Sequence, residues 1–495
     1  MLTMSKRNIA MSHPIIGWEE TTPIPNHQFS DLLSTRYGRL HYKDLDLVQL
    51  FLERGQLSNI QTPLPTPIDL AYLPTIRHQV TKMQQIFADA IVETEYAASF
   101  HYAYASKAST TEEVVRSTLE SGACAEISSS LEVEIACLML ARGLLPPDRM
   151  VIANGFKIEG SDYAQQLIKL NASHAPLTIV VEDIAELRTL LKAGHQFNVG
   201  LRQKSYGQYT DTAGMDAANS RFGLNSNGIA HAGRIINDAP NLRLTMYHAM
   251  LGRQLTDHHA FVDGLIPAIH AYAWLRQQHP YLTIFNFGGG VPVAMSLNFD
   301  FDYQAFARLL LMTVQRICND YRVPVPDIMG EFGAYTTAGH GIRVFKVSAV
   351  KENGSTWPWY IINGSIMTSF FDVWALNEHF VVLPLNHLDR PFQRVQLGGM
   401  TCDSHDVYPP LLSQSPLYLP IIQSNLHGSN QHDDELYIGF FNVGAYQEML
   451  RGVPGSRFCG LPDAGKLIID CDKQSHSFRL IPGQTTDEIL HNLRY

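Results

Sequence analysis

The chain has 495 residues, 45% of them hydrophobic and 17% charged, with a formal net charge of −10. That length is too great for one hydrophobic core, so about two or three domains are expected, and the acid excess without any Lys/Arg cluster speaks against a nucleic-acid surface. No apolar run reaches the roughly eighteen residues that cross a bilayer and no apolar block follows Lys6 and Arg7 as in a secretory signal, so no membrane partner is expected and the expected location is the cytoplasm.

Residues 1–34, with prolines at 14, 23 and 25 and little periodicity, read as an N-terminal arm. Residues 36–44 alternate polar with apolar as a strand does, and 45–54 carry helical spacing. The segment 35–74 is expected to pack with a later β domain. Near its end, Thr62-Pro-Leu-Pro-Thr-Pro-Ile68 is a rigid linker, because prolines at alternate positions forbid a helix.

From about residue 75 strands and helices alternate. Strands are expected at 99–106, 124–128, 150–154, 177–182, 197–202, 242–248, 282–287 and 327–330. Helices are expected just after residue 109, where Glu112 and Glu113 suit a first turn, and at 130–143, 161–170, 184–193, 258–278 and 303–321. Eight apolar runs alternating with helices over about 250 residues predict an α/β architecture, a (β/α)8 TIM-type barrel over 75–340. An open doubly wound sheet fits the same alternation but rarely needs eight units. The fifth crossover, 203–241, is irregular and contains Arg221-Phe-Gly-Leu, a candidate functional loop. After residue 340 the period drops to two, with strands expected at 341–351, 357–363, 381–385, 437–441 and 466–470. They predict a second, all-β, barrel-like domain over 341–495.

In such a barrel the chemistry lies at the C-terminal strand ends, which present Lys107, Ser128, Asn154, Glu182, Arg202, His248, Gly288–Gly290 and Glu331. Each has a plain reading: a solvated rim lysine, a turn at Asn154-Gly155, a helix cap at Glu182-Asp183, a core histidine at 248. Gly288-Gly289-Gly290 is more telling. Three glycines in a row cost backbone entropy and are tolerated where a ligand approaches the main chain, and loops after strands seven and eight commonly bind phosphate. A phosphate cradle, a lysine and a carboxylate across one rim suit pyridoxal 5'-phosphate: an aldehyde for the amine, an anion for the cradle and a pyridine nitrogen for Glu331. An aldolase working on a sugar phosphate through its lysine is the rival, and it would not need the second domain. The cysteines at 124, 137, 318, 402, 459 and 471 are scattered, and the histidines lack metal-binding spacing, so neither disulfides nor a metal are expected.

Several longer motifs add a family. Val151-Ile-Ala-Asn-Gly-Phe-Lys, Ser220-Arg-Phe-Gly-Leu, Thr368-Ser-Phe-Phe-Asp-Val-Trp-Ala-Leu, Phe380-Val-Val-Leu-Pro-Leu, Thr401-Cys-Asp-Ser and Gly439-Phe-Phe-Asn-Val-Gly-Ala-Tyr-Gln-Glu-Met-Leu occur in the order of the fold-type III pyridoxal-phosphate decarboxylases. From about residue 35 onward the chain resembles most the biosynthetic arginine decarboxylases, and less the ornithine and diaminopimelate decarboxylases. The resemblance implies that Lys107 carries the cofactor, Gly288, Gly289, Gly290 and Tyr446 bind its phosphate, and Glu331 meets its ring nitrogen. It implies that Cys402 returns a proton to the substrate carbon and that Asp403 contacts the substrate side chain. Cys402 and Asp403 would enter the neighbouring subunit's site, so a homodimer, or a larger assembly of such pairs, is expected.

The departures from the family bear on the same site. Its His-x-Gly-Ser-Gln becomes Met250-Leu-Gly-Arg253-Gln, so a ring-stacking histidine and a phosphate-binding serine are replaced; Met250 or His248 is left to cover the ring. Its Glu-x-Gly-Arg becomes Glu331-Phe-Gly-Ala334, and Arg253 is a candidate for the lost phosphate contact. Asp403, Asp406 and Asp372 are candidates for a cationic side chain, favouring arginine or a related basic amino acid. The family's Asp-Ala-Trp-Gly-Ile-Asp ends on Asn377 here, which leaves open a modified amino acid of a specialised pathway. A non-catalytic relative and a racemase are the remaining alternatives.

Overall fold

The computed structural model describes residues 15–18, 21–57, 60–204, 219–352, 354–410, 413, 415–422, 435–451, 458–472 and 475–495. Eight short strands, apolar along most of their length, pair in parallel and in chain order, and the eighth closes on the first. They are β1 (Phe100–Ala105), β2 (Cys124–Ile127), β3 (Val151–Ala153), β4 (Leu177–Val181), β5 (Phe197–Gln203), β6 (Leu242–Ala249), β7 (Ile284–Asn286) and β8 (Asp327–Phe332). Runs buried on both faces are what a parallel barrel demands, because helices cover its outside. The closed sheet excludes the open doubly wound alternative.

The helices wrap the barrel for reasons visible in their residues. Pro74–Glu93 buries Ile76, Val80, Met83, Phe87 and Ala90, one stripe of a 3.6-residue repeat. Ile184–Ala193 starts on a capping box of Asp183 and Glu186 and stops at Gly194, whose φ is +72°. Asp257 and Asp302 cap His258–Arg276 and Tyr303–Tyr321. The crossover expected to be irregular contains a helix, Ser226–Asp238, capped by Asn225. Its buried face is Ile229, Ala232, Gly233 and Ile236, too small to stand out as an apolar stripe; Gly233 lets His279 approach within 3.2 Å of where a Cβ would sit. Residues 205–218 of that crossover lie outside the described residues.

Among the described residues the second sheet has ten strands, built around β9 (Gly341–Lys351). Along it side chains alternate between two apolar clusters: Ile342 and Val344 join Leu70, Leu383 and Phe441, while Phe345 and Val347 join Tyr360, Phe370 and Phe440. Strand Ile68–Tyr72 pairs with β9 on one side and with Gly465–Asp472 on the other. The chain thus runs through this sheet immediately before the barrel and re-enters it immediately after β8. Upstream, the stretch expected as one strand at 36–44 is a hairpin, Leu33–Arg36 with Arg39–Tyr42. Tyr37 and Gly38 have φ of +52° and +73°, the two left-handed residues of a tight hairpin turn. The helical spacing at 45–54 produces only Gln49–Leu52. No helix among the described residues is long and apolar enough to cross a membrane.

One buried charge cluster ties these segments together. Asp69 accepts from Arg343 Nη1 at 3.0 and 3.2 Å and from Arg451 Nη2 at 3.1 Å, linking Ile68–Tyr72, β9 and the helix Gln447–Arg451. Burial by itself would raise the Asp69 carboxyl, but Arg343, Arg451 and Lys466 outweigh it and hold it below the ordinary value. A carboxyl so depressed stabilises the fold above its unfolded pKa and loses that contribution as pH falls through the folded one. Asp69→Asn is therefore expected to cost about 3 kcal/mol at neutral pH, since it strands two guanidinium groups. The gap to wild type, read by urea unfolding, is expected to narrow below about pH 4.

Candidate active site

The C-terminal rim of the barrel opens into a cavity of about 760 Å³, closed on its far side by residues 371–380 and 442–450 of the second sheet's connections. β1 stays buried as far as Ala105 and then makes one tight turn, Ser106–Ala108, that lifts Lys107 into this cavity. The turn is pinned by Ser106 Oγ, which donates to the Glu126 carbonyl at 2.8 Å and to Glu132 Oε1 at 2.7 Å.

A chain of polar groups runs from that lysine across the barrel mouth. Lys107 Nζ donates to Glu126 Oε2 at 3.2 Å, and Asn154 Nδ2 donates to Glu126 Oε1 at 2.8 Å. The same amide donates to Glu331 Oε1 at 3.0 Å, as does Asn286 Nδ2 at 2.8 Å. Asn286 Oδ1 in turn accepts the Gly288 N–H at 2.8 Å. Strand register aligns this set, because Ala105 lies opposite Glu126, His248 opposite Asn286 and Glu331 opposite Ala103.

Burial fixes the charge states. It pushes Glu126 up to about 7 even though Lys107 pulls the other way. Burial likewise works against the Lys107 ammonium, but Glu126 and Glu331 outweigh it and raise the amine above its usual value. At Glu331 burial is overcome by His248, Lys107 and the two amides, leaving the carboxyl below the ordinary range. His248 Nε2 lies 3.7 Å from Glu331 Oε2, yet burial drives the ring down to about 4, so it is neutral at neutral pH.

The glycine turn is forced by its surroundings. Gly288 and Gly290 have φ of +71° and +97°. A Cβ at Gly289 would stand 2.8 Å from the Glu331 carbonyl, and one at Gly290 2.6 Å from that of Gly252. Met250 lies against the turn, its Sδ accepting the Gly289 N–H at 3.1 Å. Tyr446, at φ +65°, is anchored by its N–H on the Ala108 carbonyl at 2.8 Å, which sets its phenol beside Gly333. Arg253 Nη2 donates to Glu378 Oε1 across the cavity, and Ala334 contributes only a methyl group to the lining.

The expected substrate residues separate into three cases. Asp372 lines the cavity, buried, with Oδ2 accepting from Gln447 Nε2 at 2.7 Å. Cys402 and Asp403 lie on a loop outside the cavity lining of their own chain; Cys402 is exposed, 3.8 Å from Cys459 Sγ, and Asp403 accepts from His405 at 2.8 and 3.0 Å. Asp406 is corrected. It is buried away from the cavity and occupied by Ser365 Oγ, the Ile366, Met367 and Thr401 N–H groups and Thr401 Oγ, a carboxylate that ties two loops together and has no lone pair to spare.

Three residues escaped the sequence reading. Glu126 and Asn286 each place a polar side chain inside a buried strand, a detectable signal because such residues are almost never buried without partners. Glu378 sits in a connection and carries no such mark.

These groups fit pyridoxal phosphate. Among the described residues, both ring nitrogens of His248 and Oδ1 of Asn154 are buried without a hydrogen-bond partner at the cavity, an amine stands ready at Lys107, and the glycine turn is a cradle that any Cβ would fill. The family model described as pyridoxal-dependent decarboxylase, pyridoxal binding domain, matches residues 75–338, more than half of the chain, and the chain belongs to that family. It is thus a pyridoxal-phosphate-dependent amino-acid decarboxylase.

Among curated relatives, arginine decarboxylase 2 of Arabidopsis thaliana is 22% identical over 92% of this chain and 77% of its own. The biosynthetic arginine decarboxylase of Geobacter sp. (strain M21) is 20% identical over 79% and 78%. Among solved structures, the biosynthetic arginine decarboxylase of Campylobacter jejuni has a TM-score of 0.74 at 20% identity, covering 94% of this chain and 91% of that one. Diaminopimelate decarboxylase from M. jannaschii, in complex with L-lysine, has a TM-score of 0.74 at 18% identity, covering 93% and 97%. Both share the fold described above.

Glu126→Gln is expected to lower the Lys107 pKa, because the nearest carboxylate is gone. In cofactor-free protein at about pH 9, acylation of Lys107 followed by peptide mass spectrometry should then accelerate roughly tenfold for each unit of decrease; an unchanged rate would show that Glu126 does not hold the amine.

Proposed function

We propose that this decarboxylase acts on arginine or a closely related basic amino acid, in active sites completed by a second copy of the chain. The observation that carries the substrate class is the cavity wall facing Lys107: a segment of the second sheet's connections places two carboxylates there, Asp372 and Glu378, and the curated relatives compared above are arginine decarboxylases. Free cysteines throughout the described residues agree with a reducing, cytoplasmic setting.

The geometry supports the following residue roles. Pyridoxal phosphate, when bound, supplies the electron sink that allows carbon dioxide to leave. Lys107 is the attachment point, held by Glu126 toward the cavity. Glu331, kept ionised by amide donors, would hold a protonated ring nitrogen, and it is set for that charge state before anything binds. Neutral His248 and the Met250 thioether would lie beside the cofactor ring without competing for its charge. Gly288, Gly289, Gly290, Arg253 and Tyr446 would hold its anionic tail.

Proton return falls to Cys402. Its thiol and the Asp403 carboxylate lie outside their own chain's cavity on an exposed loop, the placement expected of groups that serve a neighbour. Asp372 would meet the far end of a cationic side chain inside the cavity.

In a screen of arginine, ornithine, lysine and diaminopimelate, carbon dioxide release is expected to be fastest from arginine; a clear preference for another substrate refutes the assignment. Lys107→Ala should abolish the visible absorbance of lysine-bound cofactor, and Cys402→Ala should slow turnover roughly 100-fold or more. Mixing these two inactive variants is expected to restore part of the activity, whereas sites built from one chain would stay silent.

A further inference from the structure

Among the described residues four cationic side chains line the cavity, and each already has a partner. Lys107 is held by Glu126. Arg202 is buried against Glu182 at 3.2 Å and stacked on Phe222. Arg221, on the exposed edge, covers the other approach to the same ring at 4.1 Å. A phosphate dianion needs a cation besides the glycine amides, and one of those amides, that of Gly289, is already donated to Met250.

Arg253 is differently placed. It follows Gly252, whose carbonyl packs on Gly290, so its backbone abuts the glycine turn. Its guanidinium contacts Glu378 through Nη2, while its Nε is buried without a hydrogen-bond partner among the described residues. It is near enough to Tyr446 for its charge to act on the phenol: burial raises that phenol, and Lys107 and Arg253 pull it back. Glu378 is itself out of its ordinary state, pushed up by burial against the pull of Arg253, with Asp372 adding to the rise.

We propose that Arg253 is the phosphate anchor of this site and that Glu378 is its placeholder, an internal anion that occupies the guanidinium until the cofactor's phosphate displaces it. Cofactor affinity is then set by two residues from opposite walls, with Arg253 strengthening it and Glu378 competing. The exchange replaces the single charge of a carboxylate beside the guanidinium by the double charge of a phosphate, and no covalent bond is made or broken. Because Glu378 belongs to the second sheet's connections, release of Arg253 also removes one tether between that wall and the barrel mouth. The inference rests on the assignment of this cavity to pyridoxal phosphate.

The test uses the full-length protein freed of cofactor. Binding of pyridoxal phosphate is followed by the visible absorbance of lysine-bound cofactor, and binding of inorganic phosphate by the rise in melting temperature. Arg253→Ala is expected to weaken cofactor binding roughly 10- to 100-fold, the range of one charge-assisted contact, and to remove the stabilisation by inorganic phosphate. Glu378→Gln is expected to tighten both. Circular dichroism of each variant separates loss of binding from loss of fold, and Arg253→Lys, which keeps the charge, should recover part of the affinity. Unchanged binding in Arg253→Ala overturns the anchor, and weaker binding in Glu378→Gln overturns the placeholder. Wild-type protein that takes up no pyridoxal phosphate would instead overturn the assignment of the cavity itself.

Discussion

The site depends on one amide. Asn154 offers its side-chain nitrogen to Glu126 and to Glu331 at once, holding two buried carboxylates within a few ångströms of each other. Left alone, that pair would drive one member to protonate. Lys107 beside Glu126 and Asn286 beside Glu331 divide the burden unequally, so one carboxyl titrates near neutrality and the other is held ionised. The consequence is chemical: the carboxylate assigned to the ring nitrogen keeps its charge, and the one next to the lysine can give or take a proton.

The second sheet acts on that arrangement from outside the barrel. It reaches the cavity through short connections, each locked to the barrel or to the sheet core: Tyr446 by its backbone bond to Ala108, Asp372 by Gln447, Glu378 by Arg253. The sheet is itself stitched to the barrel's entry and exit by β9 and by strand Ile68–Tyr72, with Asp69 and its two arginines at the seam. A rim built from two folding units can bring a tyrosine and two carboxylates over a lysine that no loop of the barrel alone would cover. Cys402 and Asp403, by contrast, belong to a loop of the sheet that lies outside the cavity lining of their own chain.

The departures from the family pattern are concentrated where the phosphate would sit. Methionine stands at 250, arginine at 253 and alanine at 334, and the three line the same cavity as the glycine turn. The turn itself is retained because neighbouring carbonyls at Gly252 and Glu331 leave no room for a Cβ, whatever ligand it serves. Substitution around a sterically fixed turn changes the side chains that line the cavity while leaving the backbone of the turn in place.

Much of this was legible in the order of residues. The eight-strand alternation, the lysine ending β1, the glycine triplet after β7 and the acid in β8 are local patterns, and local periodicity reports burial directly because a strand or helix must turn its apolar side to the core. The helix at Ser226–Asp238 was hidden because alanine and glycine make up half of its buried face, and the hairpin at 33–42 because two left-handed residues interrupt an unbroken alternation. What tertiary structure alone decided is partnership. That Glu126 meets Lys107, that one asparagine serves two acids, that Glu378 finds Arg253 and that Asp406 is consumed by its own loops all depend on strand register and on the approach of segments that in two of these pairs are more than a hundred residues apart. Sequence names the groups that can ionise; their charge and their use follow from distance and burial, which only the closed barrel and its covering sheet determine.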